Sequence, residues 1–397
     1  MKHGLAESIR DKCAIVGIGT TDFSSRSGRS VLTLATQACL AAIADAELDP
    51  EQVDGIVRCD IDQVLHNDLA ASLGLTDLRF WSTVGTGGGA PCGMVAQAVA
   101  AIQSGQANTV IVFRSLNGRS GVRFGQPMSD SDRVGGRGSY DEFFIPYGVQ
   151  VPGHMFSMMA RRHMADFGTT EEQLGHIALT CRRRANANPA AQMSLRTMTM
   201  DDYMGSRPIS RPLRLFDYCL ETDGACAVIV TSAERARDLP KPPALIRAVA
   251  QGTVADEQPG YFLSSLLRES LTTWPSDPVA KTLYARAGCG PGDIDVAQIY
   301  DCFTITALIQ LEDYGFCAKG EGGPFAASGA LDMSGSLPIN TSGGHLSEGY
   351  IHGLTHIVEG VRQIRGTSTS QVRDAATCLV TSGVPNASSA MILRTDS

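Results

Sequence analysis

The chain has 397 residues, of which 43% are hydrophobic and 19% are charged, with a formal net charge of -8. At about 150 residues per domain, this length predicts two domains or one large α/β unit with a substantial buried core. The composition excludes intrinsic disorder, collagen-like repeats and a small disulfide-stapled scaffold. A protein with this negative net charge lacks the broad cationic surface that binding to a phosphate backbone requires, so no nucleic-acid partner is expected.

No apolar run is long enough for a membrane span or for the core of a signal peptide, so we expect a cytoplasmic protein without a membrane partner. The 11 cysteines are odd in number and form no close Cys-x-x-Cys pair. They therefore predict reduced, mostly buried thiols rather than disulfides or a zinc site.

The N-terminal part alternates extended and helical patterns. Residues 14–23 form a β-branched run that ends in a turn, and residues 32–48 place apolar side chains at helical spacing. They predict a strand followed by a helix. A glycine loop at 85–90 then leads into an alanine-rich helix, and 108–113 supply a buried strand. This order is typical of an α/β sheet.

The segment from about 116 to 170 has little periodicity, which predicts a loop or cap insertion that covers a site, lines a hydrophobic pocket or forms an interface. The alternative is that it packs onto its own domain. Its apolar side chains are Phe124, Phe143, Phe144, Tyr147, Met155, Met158 and Met159. The Lys-Pro-Pro at 241–243 marks a boundary, which predicts an N-terminal half over 1–240 and a C-terminal half over 241–397.

Two sequence blocks concentrate groups that carry chemistry. Tyr-Asp-Cys-Phe at 300–303 follows a short strand and precedes an apolar helix, where open α/β sheets bind ligands. Residues 340–353 contain four glycines, two histidines and one tyrosine, a density that indicates a site. The alternatives are that Tyr300 is a core aromatic and that His345 and His352 only begin a helix.

The glycine loop at 85–90 also has the spacing of a dinucleotide-binding loop. No carboxylate follows about 20 residues later, where such a loop requires one. The glycines are therefore better explained by the close approach of backbone to backbone.

The order of these blocks resembles the thiolase superfamily, in particular its sterol-carrier-protein-type lipid-transfer branch, from about residue 12 to 395. The resemblance rests on AIVG, the glycine loop with its helix, DGA before a strand, YDCF, and the block GG-x5-GY-x-HG. It implies the α/β thiolase fold, in which two βαβαβαββ halves stack into a five-layer αβαβα sandwich, commonly as a homodimer.

Three family positions differ in this chain. The nucleophilic cysteine of a thiolase lies 17 residues before the glycine that ends the next helix, and that count reaches Gly88. The position of the catalytic histidine carries Tyr350, and the motif that usually begins with Asn or His begins with Tyr300. Cys92, the nearest thiol, lies one helical turn after Gly88, and Cys378 lies about two residues early for the second cysteine.

In combining the loss of the nucleophile with two tyrosines, the chain resembles the Ltp2-type aldolases. Those enzymes cleave β-hydroxyacyl-CoA thioesters in steroid side-chain degradation, and they work together with a small DUF35 protein of OB fold. The resemblance implies retro-aldol cleavage that releases a ketosteroid and a short acyl-CoA such as propionyl-CoA. It also implies that two copies of this chain form a homodimer, which binds the DUF35 partner to make a heterotetramer.

In this interpretation Tyr300 and Tyr350 are the catalytic pair, and we favour Tyr350 as the base. Backbone amides near Gly88 and Gly383 would stabilise the enolate. His345 or His352 would relay a proton, and Asp301 would support the pair.

The lysines lie in polar or loop contexts, and only His345 and His352 come close together, so neither a Schiff base nor a metal is expected. We expect no cofactor beyond the coenzyme A that the acyl-CoA substrate carries. Two alternatives remain: a thiolase or acyl-CoA acyltransferase with Cys92 or Cys302 as nucleophile, and a non-catalytic acyl-CoA or sterol carrier.

Overall fold

The computed structural model describes residues 9–85, 87–121, 123, 143–254 and 263–396. Within them the strands are β1 (Cys13–Thr20), β2 (Gly55–Cys59), β3 (Phe80–Val84), β4 (Thr109–Asn117), β5 (Pro208–Ser210), β6 (Leu213–Arg214), β7 (Asp223–Ser232), β8 (Ala244–Gly252), β9 (Val296–Gln298), β10 (Thr377–Val384) and β11 (Ala387–Arg394). The α-helices are α1 (Val31–Asp45), α2 (His66–Leu73), α3 (Pro91–Gln103), α4 (Pro152–Phe167), α5 (Glu171–Ala187), α6 (Met200–Met204), α7 (Ala233–Arg237), α8 (Ser276–Ala287), α9 (Thr304–Asp313), α10 (Gly322–Ala327), α11 (Gly344–Ser347) and α12 (Leu354–Arg365).

Nine of these strands form one hydrogen-bonded series in the order β3-β2-β4-β7-β1-β8-β11-β10-β9. The first five come from the N-terminal part of the chain and the last four from the C-terminal part. The two groups meet where β1 pairs with β8, and that pairing covers only Ala14 with Leu245 and Ile15 with Ala244. Each group therefore has its own two faces to cover with helices.

The alternation of side chains along β1 shows how the layers are arranged. Cys13 and Ile15 point into a central core, and Ala14 and Val16 point into an outer core that α1 covers. The central core also takes the buried faces of α3 and α12 and the inward side chains of β10, such as Val380. Helices α3 and α12 are thus packed between the two strand groups.

The opposite face of the C-terminal strands is covered by a second set of helices. Leu379 of β10 and Ile392 of β11 lie in a core that also contains Leu283 of α8 and Leu308 of α9. Helix, sheet, central helices, sheet and helix follow one another, which confirms the predicted αβαβα sandwich. The domain limits at residues 240 and 241 stay a prediction.

The segment 116–170 differs from the expectation of an irregular insertion, because residues 152–167 form α4. Pro152 at its start favours helix nucleation, and buried side chains recur at helical spacing from Met155 through Met159 to His163. Phe143 and Tyr147, ahead of the helix, are exposed. Phe124 lies outside the described residues.

All 11 cysteines are free, and eight of them are buried, as expected for interior thiols; that they are reduced stays a prediction. Among the described residues, no helix combines the length and the apolar character needed to cross a membrane.

Candidate active site

Tyr300 lies in the short connection between β9 and α9, at the carboxyl end of the parallel strands β9 and β10. Its backbone N–H donates to Thr381 Oγ1 at 2.9 Å, and its carbonyl accepts from Gln310 Nε2 at 2.7 Å. The Tyr300 side chain is fully buried. Neighbouring elements on both sides thus fix this tyrosine before any ligand binds.

Tyr350 lies between α11 and α12, 50 residues further along the chain. Its backbone N–H donates to Thr222 Oγ1 at 2.9 Å, just ahead of β7, and its side chain is half-buried. The Tyr300 and Tyr350 hydroxyl oxygens are 3.0 Å apart and share a hydrogen bond. The structure therefore brings the two predicted tyrosines together, with Tyr350 as the more accessible member.

Gly88 lies in the one-turn 3-10 helix Gly87–Gly89 that precedes α3. A Cβ atom at this position would lie 2.6 Å from Tyr300 Cζ and closer still to the Tyr300 hydroxyl oxygen. The Tyr300 hydroxyl therefore fills the space that a side chain at position 88 would need. Gly383 in β10 lies beside Gln310, the residue that holds the Tyr300 carbonyl, so it belongs to the surroundings of the pair.

His345 packs against both phenols. Its ring contacts those of Tyr300 and Tyr350 edge-on, with centroids 4.8 and 4.9 Å away, and stacks on His356 at 4.1 Å. Burial, reinforced by the charge of His356, holds the pKa of His345 well below its usual value. His345 is therefore neutral at neutral pH.

Asp301 forms hydrogen bonds with both of these histidines. It accepts from the His345 backbone N–H at 2.8 Å and from His356 Nε2 at 3.0 Å. Burial opposes its ionisation, but the hydrogen bond from His356, the electrostatic attraction of both imidazoles and the hydrogen bond from the His345 backbone outweigh burial and lower the pKa of Asp301 to about 2. The predicted supporting role of Asp301 is thus directed at the histidines.

The side chains of Asp301, His345 and His356 also offer ligand atoms within 4.8 Å of one another, which a metal ion could use. Asp301 Oδ1 already accepts the hydrogen bond from His356, so the carboxylate has a partner without an ion. The expectation that the enzyme needs no metal stays a prediction.

His352 contacts the other side of Tyr350, with ring centroids 4.9 Å apart. Its Nδ1 accepts from Nε and Nη2 of Arg114 at 3.1 and 2.9 Å. Arg114 also forms an ion pair with Asp62. Both charged residues are buried.

Sequence reasoning missed Arg114, Asp62 and His356. One signal was available, because Arg114 interrupts the apolar run of β4 and a charged residue is rarely fully buried without a partner.

Burial keeps both phenols protonated. Burial, together with the neighbouring Tyr350, raises the pKa of Tyr300 well above 10. Burial also raises the pKa of Tyr350, against the hydrogen bond from Tyr300 and the charge of Arg114, which lower it. The resting pair is neutral at neutral pH.

The cysteine alternatives lack an activated thiol. Cys92 is buried in the first turn of α3, where its Sγ donates to the Val380 carbonyl at 3.5 Å, and burial raises its pKa to about 12. Burial likewise raises the pKa of Cys302 far above its usual range, and Cys378 is buried within β10. A nucleophilic cysteine requires the opposite shift, towards the thiolate. Fold and site together define a thiolase-fold protein in which a phenol pair lies where the resemblance expects the nucleophile.

Comparisons with known proteins agree with this class. Residues 264–395 match the family described as thiolase C-terminal domain-like. The human mitochondrial 3-ketoacyl-CoA thiolase, at 16% identity, superimposes with a TM-score of 0.70 over 98% of this chain and 100% of its own, which shows the shared fold.

Three relatives are far more similar. The steroid side-chain-cleaving aldolase of Thermomonospora curvata is 45% identical over 386 residues, which cover 96% of this chain and 98% of the relative. The 17-hydroxy-3-oxo-4-pregnene-20-carboxyl-CoA lyase of Mycobacterium tuberculosis is 44% identical, with 96% and 99% covered. A solved structure of an Ltp2-ChsH2(DUF35) aldolase is 44% identical, with a TM-score of 0.91 and 98% and 99% covered. The chain belongs to this family of thiolase-fold aldolases, and it is an enzyme of the carbon–carbon lyase class.

Proposed function

We propose that this enzyme cleaves the Cα–Cβ bond of a β-hydroxyacyl-CoA thioester and releases a carbonyl product and a shorter acyl-CoA. The observation that carries the proposal is the 3.0 Å hydrogen bond between the hydroxyl groups of Tyr300 and Tyr350. The names of the relatives support a steroid side-chain CoA ester as substrate. The products would then be a ketosteroid and a short acyl-CoA such as propionyl-CoA.

The reaction moves one proton out of the substrate and one back in. The β-hydroxyl proton passes to Tyr350 while the β-carbon forms its carbonyl and the Cα–Cβ bond breaks. The electrons of that bond become the double bond of a thioester enolate. In the same transfer Tyr350 passes its own proton to Tyr300, and Tyr300 passes its proton to the enolate carbon, so both tyrosines end the cycle neutral.

The energetics favour a coupled transfer over a free phenolate. A tyrosine of ordinary pKa costs about 4 kcal/mol to ionise at pH 7, and burial raises the pKa of both phenols further. The shared hydrogen bond lets Tyr350 pass its own proton to Tyr300 as it accepts the substrate proton, while Tyr300 gives up its proton to the enolate carbon. Amides near Gly88 and Gly383 would support the negative charge of the enolate.

No further cofactor is part of the proposal, because the thioester itself makes the enolate accessible. Of the five lysines that a Schiff base could use, three are paired with carboxylates: Lys241 with Asp45, Lys281 with Asp277 and Lys319 with Asp313. A cytoplasmic location, which reduced cysteines favour, belongs to the same proposal.

A homodimer is supported by the outer edge of β3, with which no other strand of the described residues pairs. This strand ends the nine-stranded series, and its Trp81 is 55% exposed and stacks on His66 at 4.1 Å. An unpaired strand edge with an exposed aromatic side chain is suited to pairing with a second copy of the chain.

A DUF35 partner of OB fold is supported by the related complex and by exposed apolar side chains outside the core. Phe143 is 67% exposed, Tyr147 86% and Leu195 96%. With two copies of each chain, the assembly would be the heterotetramer.

The test is an assay of the chain, co-purified with a DUF35 protein encoded beside it, on a steroidal β-hydroxyacyl-CoA with mass-spectrometric identification of both fragments. The expected result is a ketosteroid and a short acyl-CoA in equal amounts without added coenzyme A. Cleavage only with added coenzyme A would show a thiolase instead, and binding without cleavage would show a carrier.

A further inference from the structure

Arg114 is an unusual residue for the interior of β4. Its side chain is 2% exposed and the carboxylate of its partner Asp62 is fully buried. Asp62 also accepts from the backbone N–H groups of Ser115 at 3.2 Å and Cys59 at 3.1 Å. The carboxylate is thus held by the backbone, and it in turn fixes the guanidinium.

Arg114 Nη1 also donates to the Ser115 carbonyl at 3.0 Å, and N–H groups on Nε and Nη2 point at His352. Arginine has donors and no acceptor, so the two N–H groups that reach His352 Nδ1, at 3.1 and 2.9 Å, require a lone pair on that nitrogen. Burial and the charge of Arg114 lower the pKa of His352 well below its usual value, which keeps the ring neutral. The proton of His352 is therefore on Nε2, and the tautomer is set by Arg114.

His352 also adopts a backbone conformation that few side chains favour, with φ of +49°. A strained residue of this kind persists where surrounding contacts determine it, and such residues cluster at functional sites. The contacts here are Arg114 on one side of the imidazole and the edge of the Tyr350 ring on the other.

Several ionisable groups face Tyr350, and one of them is a permanent cation. They are Tyr300 and Cys302 before α9, Cys219 ahead of β7, His345 of α11, Arg114 of β4 and His352 of the same segment. Asp62 and Cys59 face Arg114 from the opposite side. The charge of Arg114 therefore favours negative charge on Tyr350, and Asp62 balances that charge only in part.

We propose that Asp62, Arg114 and His352 form a positioning series that orients Tyr350 and stabilises the negative charge that develops on its oxygen as its own proton moves to Tyr300 and the oxygen becomes the acceptor for the substrate proton. This inference rests on the proposed function and selects Tyr350 as the proton acceptor. Arg114 and His352 act through Tyr350, so they are positioning residues.

The test places 3-fluorotyrosine at position 350 and follows its ionisation by fluorine NMR over a pH series. The parent holoenzyme is compared with two site variants, Arg114→Lys and His352→Asn, and with Arg247→Lys as the control. Asparagine is chosen at position 352 because it tolerates a positive φ. Arg247 pairs with Asp11 far from the site, so its variant should titrate like the parent. Circular dichroism confirms folding, and His352→Asn alone suffices if Arg114→Lys does not fold.

We expect the pKa of the fluorophenol to rise by about one unit or more in both Arg114→Lys and His352→Asn. When the same two substitutions are made in the protein with natural tyrosine at position 350, kcat should fall at least about tenfold with KM unchanged. Identical titrations in all folded proteins would overturn it. The NMR measurement needs no turnover, so a shifted pKa in a protein without aldolase activity would overturn the proposed function alone.

Discussion

The hydroxyl of Tyr300 occupies the space that a side chain on Gly88 would need. A Cβ atom at position 88 would lie 2.6 Å from Tyr300 Cζ, well inside any contact distance. The resemblance to thiolases assigns the nucleophilic cysteine to position 88, so in this interpretation glycine at position 88 leaves the room that the Tyr300 phenol needs. The space beside Gly88 is thus filled by a phenol, which can donate a proton.

Gly88→Ala should displace Tyr300 and lower kcat by about a hundredfold, because displacements near 1 Å can cost that much in a positioned site. Overpacking should also cost about 1–3 kcal/mol of stability. Gly292→Ala is the control, since a Cβ there meets nothing within 4 Å. The measurement is kcat beside the unfolding free energy, and an unchanged kcat in Gly88→Ala would contradict the account.

Cys92→Ser should keep kcat within a few-fold of the parent, and iodoacetamide should inactivate neither protein under native conditions. At a pKa of about 12, forming the Cys92 thiolate at pH 7 costs roughly 7 kcal/mol, too much for a nucleophile. Steady-state kinetics on both proteins, with mass spectrometry of the alkylated chain, check this. Loss of turnover in a folded Cys92→Ser protein would restore the thiolase interpretation.

Asp301→Asn should lower the unfolding free energy, and more near pH 7 than near pH 2. The pKa of Asp301 falls from 3.8 to about 2 on folding, so the carboxylate contributes stability above 3.8 that is lost as the pH drops through 2. The lost contribution is about 2 kcal/mol. Urea unfolding over this range measures it, with the exposed Asp332→Asn as control. A gap between parent and Asp301→Asn that stays constant with pH would contradict the shift.

Glu348→Gln should have the opposite pH dependence. Burial raises the pKa of Glu348 from 4.5 to about 7, against the charge of Arg362, so its contribution to stability is present below 4.5 and lost as the pH rises through 7. Glutamine keeps the acceptor that Ser342 uses. From pH 4 to pH 8, the unfolding free energy of Glu348→Gln relative to that of the parent should therefore increase by up to about 3 kcal/mol. Urea unfolding of both proteins at pH 4 and pH 8 measures this difference. A parent whose unfolding free energy rises relative to that of the variant from pH 4 to pH 8 would refute the prediction.

Local patterns predicted the alternating strands and helices, because β1, α1, α3 and β4 each carry their own periodicity. They failed over residues 152–167, where Arg161, Arg162 and His163 mask the apolar spacing of α4. The hydrogen-bonded approach of Tyr300 to Tyr350 followed only from the family resemblance. No local pattern joins two residues 50 positions apart.

The charged groups behind Tyr350 could not be predicted for the same reason. Arg114 and Asp62 are 52 residues apart, and His352 lies 238 residues after Arg114. Their meeting depends on the packing of β4 against the segment that precedes α12. Sequence could have identified Arg114 as a buried charge in need of a partner, but not the partner.

The most direct measurement is single-turnover cleavage of a steroidal β-hydroxyacyl-CoA by Tyr300→Phe and Tyr350→Phe, each assembled and folded like the parent. Each phenyl ring keeps the packing and removes one hydroxyl of the 3.0 Å pair. The account predicts that each variant loses at least about a hundredfold in cleavage rate, within the usual contribution of a general acid or base. Near-parental cleavage by both folded variants would contradict it.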